Sequence, residues 1–219
     1  MKSRMIIGRK MLGMVIGIVI LSIGISIFKQ SGMGNDPGNA MLFRISEITK
    51  FPLSNIMILS NLLYFVLEFV WGKKYIGIGT FVNWVGCSYI IAFCCDFFNR
   101  IFGTPDTLLE QVLWVLAGIL VMSLGVSLYQ TAELGIAPYD SLAFLIYDRT
   151  NLPYSLCRIG IDSICAVICW QIGGFLGVGT VICVFGIGPF ISFFNKYVSQ
   201  PLICKHVDKE LKKQAMSCE

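Results

Sequence analysis

The amino-acid sequence predicts an all-α integral membrane protein with six transmembrane helices, arranged as two inverted repeats of three. Three observations predict this class: the composition, the length of the uncharged segments and an internal duplication. Hydrophobic residues make up 56% of the 219 residues, and charged residues only 14%. Soluble domains carry about 25% charged residues, so this chain has too little polar surface to cover a globule in water.

Four long segments carry no charged residue. They contain 18, 21, 22 and 33 residues, and they are Met11–Phe28, Tyr75–Cys95, Gln111–Ala132 and Ser163–Asn195. A helix needs about 20 apolar residues to span a bilayer, so each of the first three segments has the length of one span. The fourth is too long for one helix, and it divides at Gly173-Gly174.

The duplication is visible as matching residues 101 positions apart. Gly17–Phe28 reads GIVILSIGISIF and Gly118–Tyr129 reads GILVMSLGVSLY, with five of 12 positions identical. The same offset aligns Gly34 with Gly135 and Pro37 with Pro138. After a slip of one residue, a GIGT turn at 77–80 aligns with a GVGT turn at 177–180. Matches in this order over most of the chain indicate a repeated unit.

Each copy is predicted to contain three long helices and one short one. The long helices are Met11–Phe28, Leu53–Trp71 and Tyr75–Phe98 in repeat 1, and Gln111–Tyr129, Tyr154–Ile172 and Gly177–Tyr197 in repeat 2. The short helix follows the first span, at 37–49 or 138–149. Because three is odd, the second copy must enter the membrane from the opposite side, as in many secondary transporters. The predicted organisation is a basic cytoplasmic N-terminus (1–10), repeat 1 (11–98), an external linker (99–110), repeat 2 (111–197) and a polar cytoplasmic tail (198–219).

The distribution of basic residues predicts cytoplasmic N- and C-termini. In that orientation 13 Lys and Arg residues lie on the cytoplasmic side and four lie outside, as the positive-inside rule requires. The numbers of basic residues on the two sides would also fit a different arrangement, in which the short helices cross the membrane and the two repeats are parallel. About 13 residues at 1.5 Å each reach roughly 20 Å, less than the hydrocarbon core of about 30 Å. We therefore prefer short helices that re-enter the membrane or lie at its surface.

Several classes of function find no support in the sequence. The net charge of +4 comes from basic residues at the ends of apolar segments, so it does not indicate nucleic-acid binding. Nine cysteines form no Cys-x-x-Cys pair and the single histidine, His206, lies in the polar tail, so no metal site or cofactor is expected. The H-E-x-x-H, G-x-S-x-G and P-loop motifs are absent, and we predict no enzyme.

The segment after the first helix of each copy is the candidate substrate site. It reads GNDPGN at 34–39 and GIAPYD at 135–140. Glycine permits a sharp turn and proline suits the first turn of a helix, whose exposed N–H groups can bind an anion or a polar group. The predicted substrate-binding residues are Gly34, Asp36, Pro37, Asn39, Gly135, Pro138, Tyr139, Asp140 and Ser141. The alternative is a surface loop before an amphipathic helix, with Asp36 or Asp140 as an ordinary cap.

These motifs resemble those of the YczE/YyaS/YitT family of bacterial membrane proteins. The resemblance rests on the LGIAPYDSL segment, the GIGT and GVGT turns, the three-helix unit and the length, and it covers about residues 8–198. It implies a location in the bacterial plasma membrane and no settled activity, with export as the activity suggested for relatives. Copy two fits the family pattern Gly-x-x-Pro-(Trp/Tyr)-Asp at 135–140. Copy one departs from it at Gly38 and Asn39.

Four polar residues within predicted spans are candidate coupling or intramembrane charges: Asp162, Arg158, Asn61 and Glu68. Asp162 and Arg158 are four residues apart on one helix, so their side chains can meet. They predict either a proton or cation site or an ion pair that packs helices. Asn61 is the copy-one counterpart of Asp162. Glu68 lies near Trp71 and is expected to reach water at the membrane interface.

Two further groups of residues have structural interpretations. Glycines on the first helix of each copy are expected to let helices pack closely: Gly13, Gly17, Gly24, Gly118 and Gly125. Aromatic residues at helix ends are expected to anchor the interface: Trp71, Tyr75, Tyr129 and Tyr197.

The sequence-based hypothesis is a secondary transporter or exporter of a small molecule, with its site at the repeat interface near the membrane midplane. Its expected partners are the lipid bilayer and an unknown small-molecule substrate, and no nucleic acid is expected. The sequence is also compatible with a homo-oligomer. The alternative is a non-transporting membrane partner, such as an assembly factor or regulator, whose interior would be closed by packing.

Overall fold

The computed structural model describes residues 2–103 and 105–203, and these form helices joined by short turns, without a strand in that part of the chain. The helices of the first half are α1 (Lys2–Gln30), α2 (Pro37–Thr49), α3 (Leu53–Trp71) and α4 (Ile78–Phe102). Those of the second half are α5 (Leu108–Thr131), α6 (Pro138–Tyr147), α7 (Tyr154–Gln171) and α8 (Val178–Ile203). One π-helical turn lies within α4 (Asn83–Cys87) and one within α8 (Asn195–Ser199).

Five helices are long and apolar enough to cross a membrane: α1 from Ile7, α3, α4, α5 and α8. Their outward faces carry large apolar side chains such as Leu59, Phe93 and Phe185, each more than 60% exposed. Water would not tolerate so much apolar surface, so these faces contact lipid. Helix α7 has 18 residues but contains Arg158 and Asp162, which make it more polar than the other five. The chain is therefore an all-helical membrane protein embedded in the lipid bilayer.

The helices begin and end close to the predicted positions, with two differences. Helix α1 begins at Lys2, so the basic segment predicted before the first span is part of that helix. Helix α8 continues to Ile203 through its π-helical turn. Residues 198–203 of the predicted polar tail are thus helical, and the rest of the tail (204–219) lies outside the described residues.

Helices α1 and α5 pack along each other through their glycines. A Cβ atom on Gly17 would lie 2.6 Å from the backbone nitrogen of Tyr129, and one on Gly125 would lie 2.6 Å from Cα of Leu21. The two contacts that the repeat relates to these are also present: Gly118 lies against Phe28, and Gly24 lies against Met122. Along α1 the contact residues run from Gly17 to Phe28, while their partners on α5 run back from Tyr129 to Gly118, so the two helices are antiparallel.

The broken segment of each copy packs against the third long helix of the other copy. The N–H of Gly79 donates to the carbonyl of Leu134 at 2.8 Å, and the N–H of Gly179 donates to that of Met33 at 3.0 Å. Gly34 and Gly135 adopt φ values of +118° and +122°, a backbone region that strongly favours glycine. The sharp turn before each short helix therefore depends on glycine.

Each short helix packs against a long helix of the other copy: α2 packs on α7, and α6 packs on α3. Arg44 of α2 donates to the carbonyl of Ile172 at the end of α7, at 3.3 Å. At the end of α6, Asp148 binds Lys74 and the hydroxyl of Tyr75, both at 2.7 Å. The Lys74 ammonium first, and then the Tyr75 hydroxyl, hold the pKa of Asp148 below its ordinary value. Both short helices are thus fixed at their far ends, with their first turns directed into the core.

Candidate functional site

The first turns of α2 and α6 face the same buried cavity, which has a volume of about 80 Å³. Both helices begin with proline, at Pro37 and Pro138, and both prolines are fully buried. The polar side chains that line the cavity come from both copies, and they are Asp36, Asn39, Asn61, Tyr64, Asn83, Ser88, Tyr139, Asp140 and Arg158. The two broken segments, more than 100 residues apart in sequence, therefore form one site.

Arg158 lies at the centre of a buried charged cluster. Its guanidinium group forms ion pairs with Asp140 and with Asp162, the latter with 3.2 Å between Nε and Oδ2. The ring of Tyr139 stacks beneath it, with 4.9 Å between Cζ and the ring centroid. Asp162 is fully buried, and the Arg158 and Asp140 side chains are each 8% exposed. Buried charges of this kind are stable only when paired and hydrogen-bonded.

Two tyrosine hydroxyl groups complete the hydrogen bonding of these carboxylates. Tyr139 donates to Oδ1 of Asp162 at 2.6 Å, and Tyr129 donates to Oδ2 of Asp140. The interpretation of Tyr129 as an interfacial anchor is therefore wrong, because its side chain is 1% exposed and points into the core. A buried tyrosine normally finds a partner for its hydroxyl, and here that partner is the Asp140 carboxylate.

Asp36 is the third carboxylate, and it is only partly satisfied. It caps α2, since Oδ2 accepts the backbone N–H of Asn39 at 3.0 Å and its side-chain amide at 2.6 Å. Its Oδ1 atom is 4.0 Å from Nη2 of Arg158 and has no hydrogen-bond partner among the described residues. The side chain is nevertheless 4% exposed. Asp36 is thus a helix cap, as one interpretation proposed, and also a charged wall of the cavity.

The cluster carries more negative than positive charge. Three carboxylates, Asp36, Asp140 and Asp162, surround one guanidinium group. The positive ends of α2 and α6 face the cavity, but Asp36 already caps α2 and Asp140 lies in the first turn of α6. The expectation of an anion at these helix ends is therefore not favoured, because an added anion would meet two or three carboxylates.

The other predicted site residues have supporting roles. Gly34 and Gly135 lie behind the cavity wall, where a Cβ atom would collide with Thr180 and Thr80. Ser141 donates to the carbonyl of Pro138 at 2.8 Å within the first turn of α6. Asn61, the counterpart of Asp162, lines the cavity directly.

Gly38 explains why copy one departs from the aromatic pattern of copy two. A Cβ atom on Gly38 would lie 2.7 Å from Cζ of Tyr139, so the Tyr139 ring rests directly on the glycine. The centre of the site has space for one aromatic ring, and the second copy supplies it.

Glu68 lies apart from the cluster, and its predicted position is wrong. The side chain does not reach water, because the residue is fully buried in α3. Neither of its carboxylate oxygens has a hydrogen-bond partner among the described residues. An acid inside a span costs about 2.5–3.5 kcal/mol on insertion scales, so Glu68 lowers the stability of the fold.

We expect Glu68→Met to stabilise the protein by about 1–3 kcal/mol, because it removes a buried polar group that lacks a partner. The free energy of unfolding, measured by titration with a denaturing detergent, checks this. Glu110→Met is the matched control at an exposed position, and it should give no gain. Loss of stability in Glu68→Met would contradict the expectation.

No group of three His, Cys, Asp or Glu side chains within the described residues has the geometry to hold a metal ion. In the charged cluster the counter-ion of the carboxylates is the Arg158 guanidinium group. The site therefore presents carboxylate, amide and aromatic groups directly to whatever enters the cavity.

These features define a multi-helix membrane protein with an asymmetric charged site enclosed between two short helices. Residues 8–196 match a family described as "Family of unknown function (DUF6198)", and the chain belongs to this family. It is 28% identical over 189 residues to an uncharacterized protein of Haemophilus influenzae, covering 85% of this chain and 84% of that protein. No solved structure matches the chain.

Two relatives from Bacillus subtilis confirm the resemblance that the motifs indicated. The uncharacterized membrane protein YczE is 25% identical over 178 residues, covering 81% of each chain. The uncharacterized protein YyaS is 24% identical over 198 residues, covering 87% of this chain and 94% of that protein.

Proposed function

We propose that the protein is a secondary transporter or exporter of a small molecule, and that the buried cavity is its substrate site. The observation that carries this proposal is the convergence of two helix N-termini and a charged cluster on one cavity. Irregular backbone and charged side chains are costly inside a membrane protein unless they line a cavity or a pathway. A chain that only packed its helices would have no use for this arrangement.

The architecture that we propose is an inverted repeat of three plus three spans, with α7 as the sixth span. The antiparallel contact of α1 with α5 supports it, because the first helices of the two copies then run in opposite directions. Helices α2 and α6 have 13 and 10 residues, too short to span, and their buried first turns support re-entrant half-helices. The resemblance to bacterial membrane proteins supports a location in the bacterial plasma membrane, and the basic residues favour both termini in the cytoplasm.

In this proposal Arg158 and Asp162 are the coupling pair. Arg158 lines the cavity and Asp162 is bound to Arg158 and to the Tyr139 hydroxyl, so a change in charge inside the cavity changes the environment of the pair. The alternative of a non-transporting assembly factor predicts an interior closed by packing. The polar cavity between the broken segments weighs against that alternative.

A flux screen with purified protein in liposomes tests the proposal. Small cations, anions and neutral solutes are added outside vesicles that contain a pH-sensitive dye, with and without a pH gradient. We expect at least one solute to cause a protein-dependent signal, and Asp162→Asn to reduce it at least tenfold. The asparagine keeps the size and the hydrogen bond to Tyr139 but removes the charge.

Asp106→Asn is the control, because Asp106 is exposed in the turn between α4 and α5 and should leave the flux unchanged. If no solute gives a flux that Asp162→Asn alters, the transporter proposal is overturned.

A further inference from the structure

We infer that the ligand of the cavity is a small organic cation, a protonated amine with a short alkyl chain, held by Asp36. The inference rests on the proposed function for the cavity being a ligand site, and it adds the chemical class of the ligand. Four features of the cavity support it: an unused acceptor, the balance of charge, the nature of the walls and the volume.

The unused acceptor is Oδ1 of Asp36. Asp36 lines the cavity and its side chain is 4% exposed. Its Oδ2 atom already binds Asn39, whereas Oδ1 has no hydrogen-bond partner within the described residues. A buried carboxylate oxygen without a partner is costly, and an N–H donor on a cation would satisfy both its hydrogen bonding and its charge.

The balance of charge favours a cation. Arg158 is paired directly with Asp140 and Asp162, so its single positive charge is already shared between two carboxylates. Asp36 is 4.0 Å from Nη2 of Arg158, the edge of ion-pair distance. The three ionised carboxylates and one guanidinium group sum to a formal charge of −2, and a monovalent cation beside Asp36 would reduce this imbalance.

The walls distinguish an organic ammonium from a metal ion. The rings of Tyr64 and Tyr139 lie together on one side, with 5.6 Å between their centroids. Most of the remaining lining is apolar and includes Leu21, Met57 and Met122. Divalent hard cations favour clustered carboxylate ligands, and the described residues contain no group of three acidic, His or Cys side chains placed to hold a metal ion. Aromatic faces and apolar side chains instead suit an alkylammonium group, whose charge interacts with the rings.

The volume limits the size of the ligand. One water needs at least about 10–15 Å³ of cavity volume, so about 80 Å³ has room for only a few non-hydrogen atoms. Ethylammonium is a suitable probe, since it combines one charged group with two carbon atoms.

Calorimetric titration of the purified protein in a non-ionic detergent tests this inference without vesicles or gradients. We expect ethylammonium chloride to bind saturably, and Asp36→Asn to weaken that binding by about tenfold or more, the usual effect of losing a charged hydrogen bond. Asparagine is as good a helix cap as aspartate, so the variant should fold. The melting temperature in detergent checks that it does. Asp106→Asn, at an exposed position between α4 and α5, should bind like the original protein.

Sodium chloride, potassium chloride, sodium propionate and 1-propanol form the comparison series. Binding of propionate or propanol, equal binding of sodium or potassium, unchanged ethylammonium binding in Asp36→Asn or no saturable binding would each overturn the inference. Saturable binding of ethylammonium without any flux in liposomes would keep the inference and remove the transporter proposal. Flux of an anion or a neutral solute without ethylammonium binding would do the opposite.

Discussion

Gly125→Ala is expected to destabilise the protein by about 3 kcal/mol, because the added methyl group has no space between α1 and α5. The new Cβ atom would lie 2.6 Å from Cα of Leu21 and 2.8 Å from the carbonyl oxygen of Gly17. Real Cβ atoms do not approach backbone atoms so closely, so the two helices must move apart. Overpacking typically costs about 1–3 kcal/mol, and here the obstacle is rigid backbone.

The measurement is the free energy of unfolding in a denaturing-detergent titration, with the melting temperature in detergent as a second readout. Gly160→Ala is the matched control, since Gly160 lies within α7 and nothing would lie within 4 Å of its Cβ atom. That substitution should be neutral or stabilise by up to about 1 kcal/mol, because alanine is the better helix former. Equal stability of the two variants would show that α1 and α5 do not approach closely at Gly125.

Most helices of this fold could be predicted because lipid imposes a simple rule on sequence. An uncharged run of about 20 residues has few alternatives to a spanning helix. Helix α7 is less regular, since Arg158 and Asp162 lie in its first half, and it was predicted from the uncharged sequence before Gly173 together with its equivalence to α3 in the repeat. Sequence could not predict that α2 packs on α7 and α6 on α3. This packing of each short helix on the other copy depends on contacts between segments far apart in the chain.

The candidate site was predicted only in part, for a related reason. The spacing of Arg158 and Asp162 on one helix was enough to bring them together. Nothing local to the sequence shows that Asp140 and Asp36, from different copies, meet the same guanidinium group. Glu68 was misplaced because its nearness to Trp71 in sequence suggested access to water, whereas α6 packs against α3 and the side chain is buried.

A comparison of the two copies would have found the missing members of the cluster. At an offset of 101 residues, several positions gain a polar or charged group in copy two, and five of them are Phe28 to Tyr129, Gly38 to Tyr139, Asn39 to Asp140, Met57 to Arg158 and Asn61 to Asp162. All five copy-two residues belong to the charged cluster. Differences within a duplication therefore add candidates for the site that the shared residues do not provide, because shared residues mainly maintain the fold.

The same comparison predicts the effect of removing the guanidinium group. Arg158→Met should destabilise the protein by about 3–5 kcal/mol, because it leaves three buried carboxylates facing each other without a counter-ion. The methionine itself should fit, since Met57 is the equivalent residue of copy one. We expect low expression and aggregation of this variant in detergent, observed by size-exclusion chromatography, and a lower melting temperature.

Removal of the two carboxylates that pair with Arg158, those of Asp140 and Asp162, should restore the lost stability. The triple variant Arg158→Met, Asp140→Asn and Asp162→Asn carries the residues that copy one has at these positions, and each asparagine can still accept the hydrogen bond from Tyr129 or Tyr139. It should therefore fold nearly as stably as the original protein while losing any flux that depends on Asp162.

Arg149→Met is the control outside the cluster. Its guanidinium group lies 5.2 Å above the Trp71 ring at an exposed position, so its loss should cost about 1 kcal/mol or less. If Arg158→Met were as stable as Arg149→Met, the guanidinium group would not be the counter-ion of the three carboxylates. If the single variant were unstable and the triple variant equally so, Arg158 would act through packing rather than through charge.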